Sequence, residues 1–240
     1  MATALATGWG EPVWASDPVR ERAQSLVDML GGEACATNLD VANAADVVIL
    51  CHKPAQLDQV ADEIRSSGTP VVSILGSVEL ATVRAAYGST LAYRVLPNLP
   101  VELGEGVLCW PTANGNDDVA TGLKALFARV GQVIELDEAL IETAMALSSN
   151  APAFVALVVE AMVDSGVRNG LPPALASSLA LQTLTGTASL LQARGGDTLS
   201  VRRQVTSPGG STARGLAALE RAGLRSAFDD AVEAVLRGAL

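Results

Sequence analysis

A change of pattern near residue 136 places the strongest limit on how this chain of 240 residues can fold. Before residue 136, short runs rich in β-branched residues alternate with stretches of helical periodicity, which is typical of βα units and a mainly parallel sheet. After it, the strand signals stop and every segment favours helix. We therefore predict an α/β, doubly wound domain at residues 1–136 and an all-α domain at residues 137–240.

Local signals divide the first domain into elements. Asp17 and Pro18 offer an N-cap and a first helical residue, and Gly31 offers a stop, so a helix is predicted at 18–30. Further helices are predicted at 55–66, 78–87 and 117–130. The predicted strands are 12–15, 34–37, 47–51, 71–75, 91–95, 106–110 and 132–136.

Charge and polarity exclude several classes of protein. Asp and Glu outnumber Lys and Arg by 26 to 16, a net charge of −10, so the chain has no surplus positive charge for nucleic acid or an anionic membrane. The longest charge-free stretch, 171–193, contains too many Ser, Thr and Gln residues for a bilayer-spanning helix. No signal peptide is visible, so we expect a cytoplasmic protein. The three cysteines are too widely spaced for a metal-binding motif, and we expect no metal site.

Two further features bear on function. The helical part is apolar on all sides, which indicates faces that a second copy covers in a homodimer. The single histidine, His52, follows the apolar run 47–51 at a predicted strand end. A base could lie there, but a lone histidine has no second ligand in the sequence, and we interpret it as a structural or loop residue.

The most specific motif is the segment 205–212, Val-Thr-Ser-Pro-Gly-Gly-Ser-Thr, which we call the glycine turn. Its two glycines let a ligand approach the backbone closely, and a helical pattern starts directly after them. The N–H groups and dipole at a helix N-terminus bind small anions such as a carboxylate or phosphate. Alternatively, Ser211 or Thr212 only caps the helix. The spacing alone favours neither interpretation.

The glycine turn, followed by Gly215-Leu216 and Gly223-Leu224-Arg225, resembles the C-terminal signature of pyrroline-5-carboxylate reductases. Residues 160–186 are similar to the dimerisation helices of that family, and Lys53-Pro54 and Arg94-x-x-Pro97-Asn98-x-Pro100 follow the family's order. The resemblance covers nearly the whole chain. It implies a Rossmann-like first domain, a second domain that dimerises, with larger rings of dimers known in the family, and reduction of a cyclic imine carboxylate. The default reaction is 1-pyrroline-5-carboxylate to L-proline with NADPH or NADH, the last step of proline biosynthesis.

The resemblance also implies roles for single residues. Thr212 would donate a hydrogen bond to the imine nitrogen, where charge changes during hydride transfer. The substrate carboxylate would bind backbone N–H groups from Gly209 to Thr212, and the Ser207 hydroxyl would be a further donor. The implied substrate-binding residues are Ser207, Gly209, Gly210, Ser211 and Thr212. The implied cofactor-binding residues are Ser16, Asn38, Lys53, Pro54 and Asn98.

Some of these roles have alternatives. The Ser16 hydroxyl suits a 2′-phosphate and so favours NADPH, whereas Asp17 suits a free ribose hydroxyl or caps the following helix. The alternative for Lys53 is a charged side chain in a solvent-exposed loop, with no role in binding. Asn98 is otherwise an ordinary turn asparagine.

The sequence departs from the family pattern in several places. The phosphate-binding motif G-x-G-x-x-G is absent. Residues 1–5 resemble the residues that follow it, so we expect the first strand and the glycine loop upstream of residue 1. Three explanations fit the missing motif. The start of the sequence is assigned too late, the chain is cut, or the protein is a dimeric pseudoenzyme that has lost the glycine loop. Ser149-Asn150-Ala151, Arg203 and Leu75-Gly76-Ser77 also depart from the pattern, which leaves open a different cyclic imine as substrate.

Overall fold

The structure, a computed structural model, describes residues 1–88 and 91–237. The chain forms two compact units, of which the first is Met1–Asn150 and the second starts at Ala151. The first unit is α/β and the second is helical. The predicted fold class is confirmed.

The first unit contains eight strands and seven helices within the described residues. The strands are β1 (Val13–Ala15), β2 (Gly32–Ala34), β3 (Val48–Leu50), β4 (Val71–Ser73), β5 (Ala92–Arg94), β6 (Leu96–Pro97), β7 (Gly106–Pro111) and β8 (Gly131–Leu136). The helices are α1 (Ala2–Trp9), α2 (Arg20–Leu30), α3 (Asn38–Ala44), α4 (Leu57–Ile64), α5 (Leu80–Tyr87), α6 (Asp118–Ala128) and α7 (Ile141–Ser148).

The strand order has a gap at its centre. Strands β1 and β2 pair in parallel, and β3, β4 and β5 form a separate parallel sheet in that order. Strand β7 pairs with the antiparallel β6 and the parallel β8. A doubly wound sheet has the order 3-2-1-4-5-6, so β2 and β1 correspond to its third and second strands and β3 to its fourth. Among the described residues, no strand corresponds to the first position of that order.

Helices cover both faces of the sheet formed by β3, β4 and β5. On one face, α4 and α5 bury Val60, Ile64 and Val83 against β3 and β4. On the other face, α1 and α6 bury Leu5 and Phe127 in a cluster with residues of β4, β5 and β7. This arrangement leaves the carboxyl ends of the parallel strands as the edge where ligands bind in such folds.

Some predicted elements differ from the observed ones. Helix α2 begins at Arg20, not at residue 18, because the Asp17 carboxylate accepts a hydrogen bond from the Val19 N–H (2.8 Å) in the turn before it. Strand β2 covers 32–34, earlier than predicted, since its partner β1 sets the register Ala15 to Ala34. Helix α3 was not predicted, although Thr37 and Asp40 form a capping box at its start.

We predicted a domain boundary at residues 136 and 137, whereas the first compact unit extends to Asn150. Helix α7 lies within the first unit because Ile141, which is fully buried, packs in a cluster with Leu96 and Cys109 of β6 and β7. The change from strand to helix in the sequence therefore precedes the change of compact unit.

The second unit consists of α8 (Ala151–Arg168), α9 (Pro173–Ala193), α10 (Thr198–Gln204), α11 (Ser211–Arg221) and α12 (Leu224–Arg237). Helices α8 and α9 pack closely at Gly166, where an added Cβ would lie 3.2 Å from Ala176 Cβ. Much of their remaining surface is apolar and exposed, as at Leu157 and Leu181.

Two helical stretches, Glu138–Arg168 and Pro173–Ala193, are long and apolar enough to cross a membrane by length and composition alone. The expectation that residues 171–193 are too polar for this was wrong, because the Leu and Ala residues outweigh the Ser and Thr residues in mean hydropathy. Exposed apolar helices are equally characteristic of subunit interfaces.

Candidate active site

The glycine turn links α10 to α11, and its geometry favours glycine at both positions. Gly209 has φ +67°, a left-handed conformation that other residues adopt at a cost. The Gly210 N–H donates to the Ser207 carbonyl (3.0 Å), and a Cβ on Gly210 would collide with the Ser207 hydroxyl oxygen. The Gly210 N–H is therefore used within the turn and is not free for a ligand.

Free N–H groups lie at the start of α11. Its N-cap is Gly210, which has no side chain to cap the helix. Among the described residues, the N–H groups of Ser211, Thr212 and Ala213 have no hydrogen-bond partner. Ser211 and Thr212 are the first two helical residues, so neither is the N-cap that the alternative interpretation requires. The side chains of Ser207, Ser211 and Thr212 are exposed.

One arginine contacts the glycine turn, and two more precede it in the sequence. The Arg214 guanidinium donates to the Gly209 carbonyl (2.8 Å), and Arg202 and Arg203 lie in the last turn of α10. The pKa of the Glu220 carboxyl is lowered, first by its hydrogen bond from Arg225 and more weakly by the charge of Arg202. These arginines and the α11 dipole favour an anion at the free N–H groups.

In the first unit, two predicted cofactor residues contact each other. Ser16 follows β1 and Asn38 starts α3 just after β2, so both lie at the carboxyl ends of parallel strands. The Ser16 hydroxyl donates to Asn38 Oδ1 (2.6 Å), and Asn38 Nδ2 donates to Glu63 (2.6 Å). Two polar side chains are thus held in fixed positions at this edge.

The other predicted cofactor residues lie elsewhere along the chain. Lys53 and Pro54 are exposed in a 3₁₀ turn after β3, where the Lys53 N–H donates to Gln56 (3.1 Å). Asn98 is buried, its Oδ1 accepts from the Val107 N–H (2.8 Å), and its Nδ2 donates to the Ser148 carbonyl (3.1 Å). Asn98 thus ties β7 and the end of α7 to the segment after β6.

Sequence reasoning missed a buried ion-pair cluster, which we call the Arg94 cluster. Arg94, at the carboxyl end of β5, is 1% exposed and contacts Glu138 (2.6 Å) and Glu142 (3.3 Å). The same Glu138 carboxylate accepts from the Leu80 N–H (3.0 Å). The sequence signal was an arginine within the predicted strand 91–95, where a buried charge needs a partner. Within the described residues there is no group of three potential metal ligands.

Comparison with known proteins places the whole chain in one family. A family model described as pyrroline-5-carboxylate reductase dimerisation matches residues 138–239, and one described as NADP oxidoreductase coenzyme F420-dependent matches residues 1–77. The pyrroline-5-carboxylate reductase of Synechocystis sp. is 38% identical over 231 residues, which cover 95% of this chain and 86% of the relative. This chain belongs to the pyrroline-5-carboxylate reductase family.

Solved structures of pyrroline-5-carboxylate reductases have the same fold. The enzyme of Streptococcus pyogenes superposes with a TM-score of 0.89 at 25% identity, covering 100% of this chain and 94% of that one. The pyrroline carboxylate reductase of Plasmodium falciparum, with NADP bound, gives a TM-score of 0.86 at 27% identity, covering 98% and 92%. The resemblance drawn from the glycine turn is therefore confirmed.

Proposed function

We propose that this chain reduces 1-pyrroline-5-carboxylate to L-proline with a nicotinamide dinucleotide, the last step of proline biosynthesis. Relatives named for this activity align over most of the chain. The observation that carries the proposal is the start of α11, where the N–H groups of Ser211, Thr212 and Ala213 are free and Arg214 contacts the turn before them. This is a site for a carboxylate, the one charged group that the substrate always carries. The comparisons do not favour a different imine or a pseudoenzyme.

In this proposal the glycine turn binds the substrate and Thr212 assists the reaction. The carboxylate accepts from the free N–H groups, and the exposed Ser207 hydroxyl is a further donor. The bound nicotinamide supplies the hydride that adds to the imine carbon. The Thr212 hydroxyl donates to the ring nitrogen, because a donor placed where charge develops lowers the barrier.

The first unit supplies residues that fit a dinucleotide. The Ser16 and Asn38 pair lies at the edge where the adenosine half binds in doubly wound folds. Lys53, Pro54 and Asn98 are the further positions proposed on that edge. One Asp17 oxygen accepts from the Val19 N–H, and the carboxylate lies 3.8 Å from Arg22, which reduces its repulsion of a 2′-phosphate. This favours NADPH over NADH.

The activity is tested by oxidation of NADPH in the presence of 1-pyrroline-5-carboxylate. Two proteins are compared: the 240-residue chain and the same chain with a designed strand and G-x-G-x-x-G loop joined ahead of Met1. Turnover by either protein supports the proposal. The absence of turnover in both, with NADPH bound, would contradict this substrate.

The role of Thr212 is tested by removal of its hydroxyl. We expect Thr212→Val to lower kcat by about one to two orders of magnitude, which is what one well-placed donor contributes. Thr212→Ser keeps the hydroxyl and should stay within about threefold of the parent. Thr121→Val, at an exposed threonine in α6 of the first unit, is the matched control and should keep the parent kcat. An unchanged kcat in Thr212→Val would remove this hydroxyl from the mechanism.

The second unit fits a homodimer, and the family model that matches it is described as a dimerisation domain. Exposed leucines on α8 and α9 give each copy an apolar face to bury. We further propose that the dimer is cytoplasmic and binds neither nucleic acid nor membrane. Solution mass separates a dimer from a larger ring of dimers.

A further inference from the structure

The imidazole of His52 has a defined hydrogen-bonding state. Its Nδ1 lies 2.9 Å from the backbone carbonyl oxygen of Lys53. A carbonyl oxygen can only accept, so Nδ1 carries the proton of that bond. In the neutral ring the other nitrogen, Nε2, is then an acceptor with a free lone pair.

That acceptor has no partner. Nε2 of His52 is buried and forms no hydrogen bond with any described residue, although the ring as a whole is only partly buried. A buried acceptor without a donor destabilises the structure, and a group that donates to it removes this penalty. Natural structures keep such groups where a ligand or water completes the bond.

His52 also lies where a dinucleotide binds in this fold. It follows β3, the first strand on the far side of the gap in the strand order, and this reversal point is where ligands bind outside the carboxyl ends of the strands.

We propose that Nε2 of His52 accepts a hydrogen bond from a ribose hydroxyl in the nicotinamide half of the bound dinucleotide. This rests on the proposed function. The hydroxyl is the donor that this half offers beside its carboxamide, whereas a phosphate offers only acceptors and cannot pair with an unprotonated nitrogen. The half is assigned from the fold: Ser16 and Asn38 lie at β1 and β2, and β3 opens the other mononucleotide half.

Two substitutions separate this role from a purely structural one. His52→Asn places an amide N–H near the position of Nδ1, so it can keep the bond to Lys53 but lacks the acceptor. His52→Gln places an amide oxygen near Nε2 and gives up the Nδ1 bond. We expect the dissociation constant for NADPH, measured by fluorescence titration, to rise about five- to tenfold in His52→Asn and less than about threefold in His52→Gln.

The ligand panel assigns the contact to one half of the cofactor. Adenosine 2′,5′-bisphosphate lacks the nicotinamide ribose, so its affinity should be the same for both variants and the parent. If His52→Asn weakens this ligand as much as NADPH, the contact is not with the nicotinamide half. If His52→Gln weakens NADPH binding and His52→Asn does not, His52 only fixes the loop. Either result overturns the proposal.

A measurement without cofactor tests the first step. His52 is the only histidine, so its ring nitrogens give the only imidazole signals in a ¹⁵N spectrum. In the neutral ring we expect the proton on Nδ1, and a neutral ring with its proton on Nε2 would overturn the proposal. A parent protein that turns over substrate while His52→Asn binds NADPH normally refutes this inference alone. A parent that binds no NADPH, with or without the added glycine loop, refutes the proposed function and this inference with it.

Discussion

At the scale of single residues, Ser77 has the most strained backbone conformation. It has φ +56°, and no other non-glycine residue among those described has a positive φ. It lies in the loop after β4, at the ligand-binding edge, and its side chain is exposed. A left-handed conformation costs an L-residue about 1–2 kcal/mol, which glycine avoids.

We therefore expect Ser77→Gly to raise the free energy of unfolding of the first unit by about 0.5–1 kcal/mol, since the greater freedom of glycine in the unfolded chain offsets part of the gain. Urea denaturation followed by tryptophan fluorescence measures this unit, because the tryptophans are Trp9, Trp14 and Trp110. The control is Ser25→Gly inside α2, which should change stability in the opposite direction. A loss of stability in Ser77→Gly would mean that the serine hydroxyl makes an important contact.

Local residue patterns were predictable from the sequence, and distant contacts were not. The glycine turn was found because its glycines, hydroxyls and helix start are consecutive residues. The Arg94 cluster was missed because Glu138 lies 44 residues further along the chain. Asn98 was singled out as a cofactor residue, but the sequence could not show that its amide bonds Val107 and Ser148.

At the scale of elements, runs of β-branched residues predicted β3 and β4, whereas short or irregular elements were not predicted. Helix α3 has only seven residues, too few for a clear apolar period, although its capping box was readable. Strand β6 has two residues and owes its antiparallel pairing to β7, which no local pattern indicates.

The Arg94 cluster holds the start of α7 to the sheet, and this can be measured. We expect Arg94→Met to lower the free energy of unfolding of the first unit by about 3 kcal/mol, because it leaves carboxylates facing a buried site without a counter-charge. Glu142→Gln should cost less than about 1 kcal/mol, since this carboxylate is 39% exposed and already solvated. The same tryptophan fluorescence assay compares them. Equal losses in the two variants would show that the burial of Arg94 is not what matters.

At the scale of the whole molecule, the two units differ in how completely they bury their apolar residues. The first unit has clusters of fully buried side chains on both faces of its sheet. In the second unit, Ala176 and Ala180 are the only buried apolar residues among those described, while Leu157 is 64% exposed. An apolar surface of this kind is stable in water only when another surface covers it.

We therefore expect dimerisation and activity to be lost together. Leu157→Glu on α8 would place a charge in the face that the second copy buries, and sedimentation should then give the monomer mass of 24.6 kDa with turnover reduced at least tenfold. Leu103→Glu is the matched control, because Leu103 is 81% exposed and lies in the first unit, outside the dimerisation match. It should remain dimeric and active. A Leu157→Glu monomer with full turnover would show that each copy carries a complete active site, and the apolar surface of α8 would then serve stability alone.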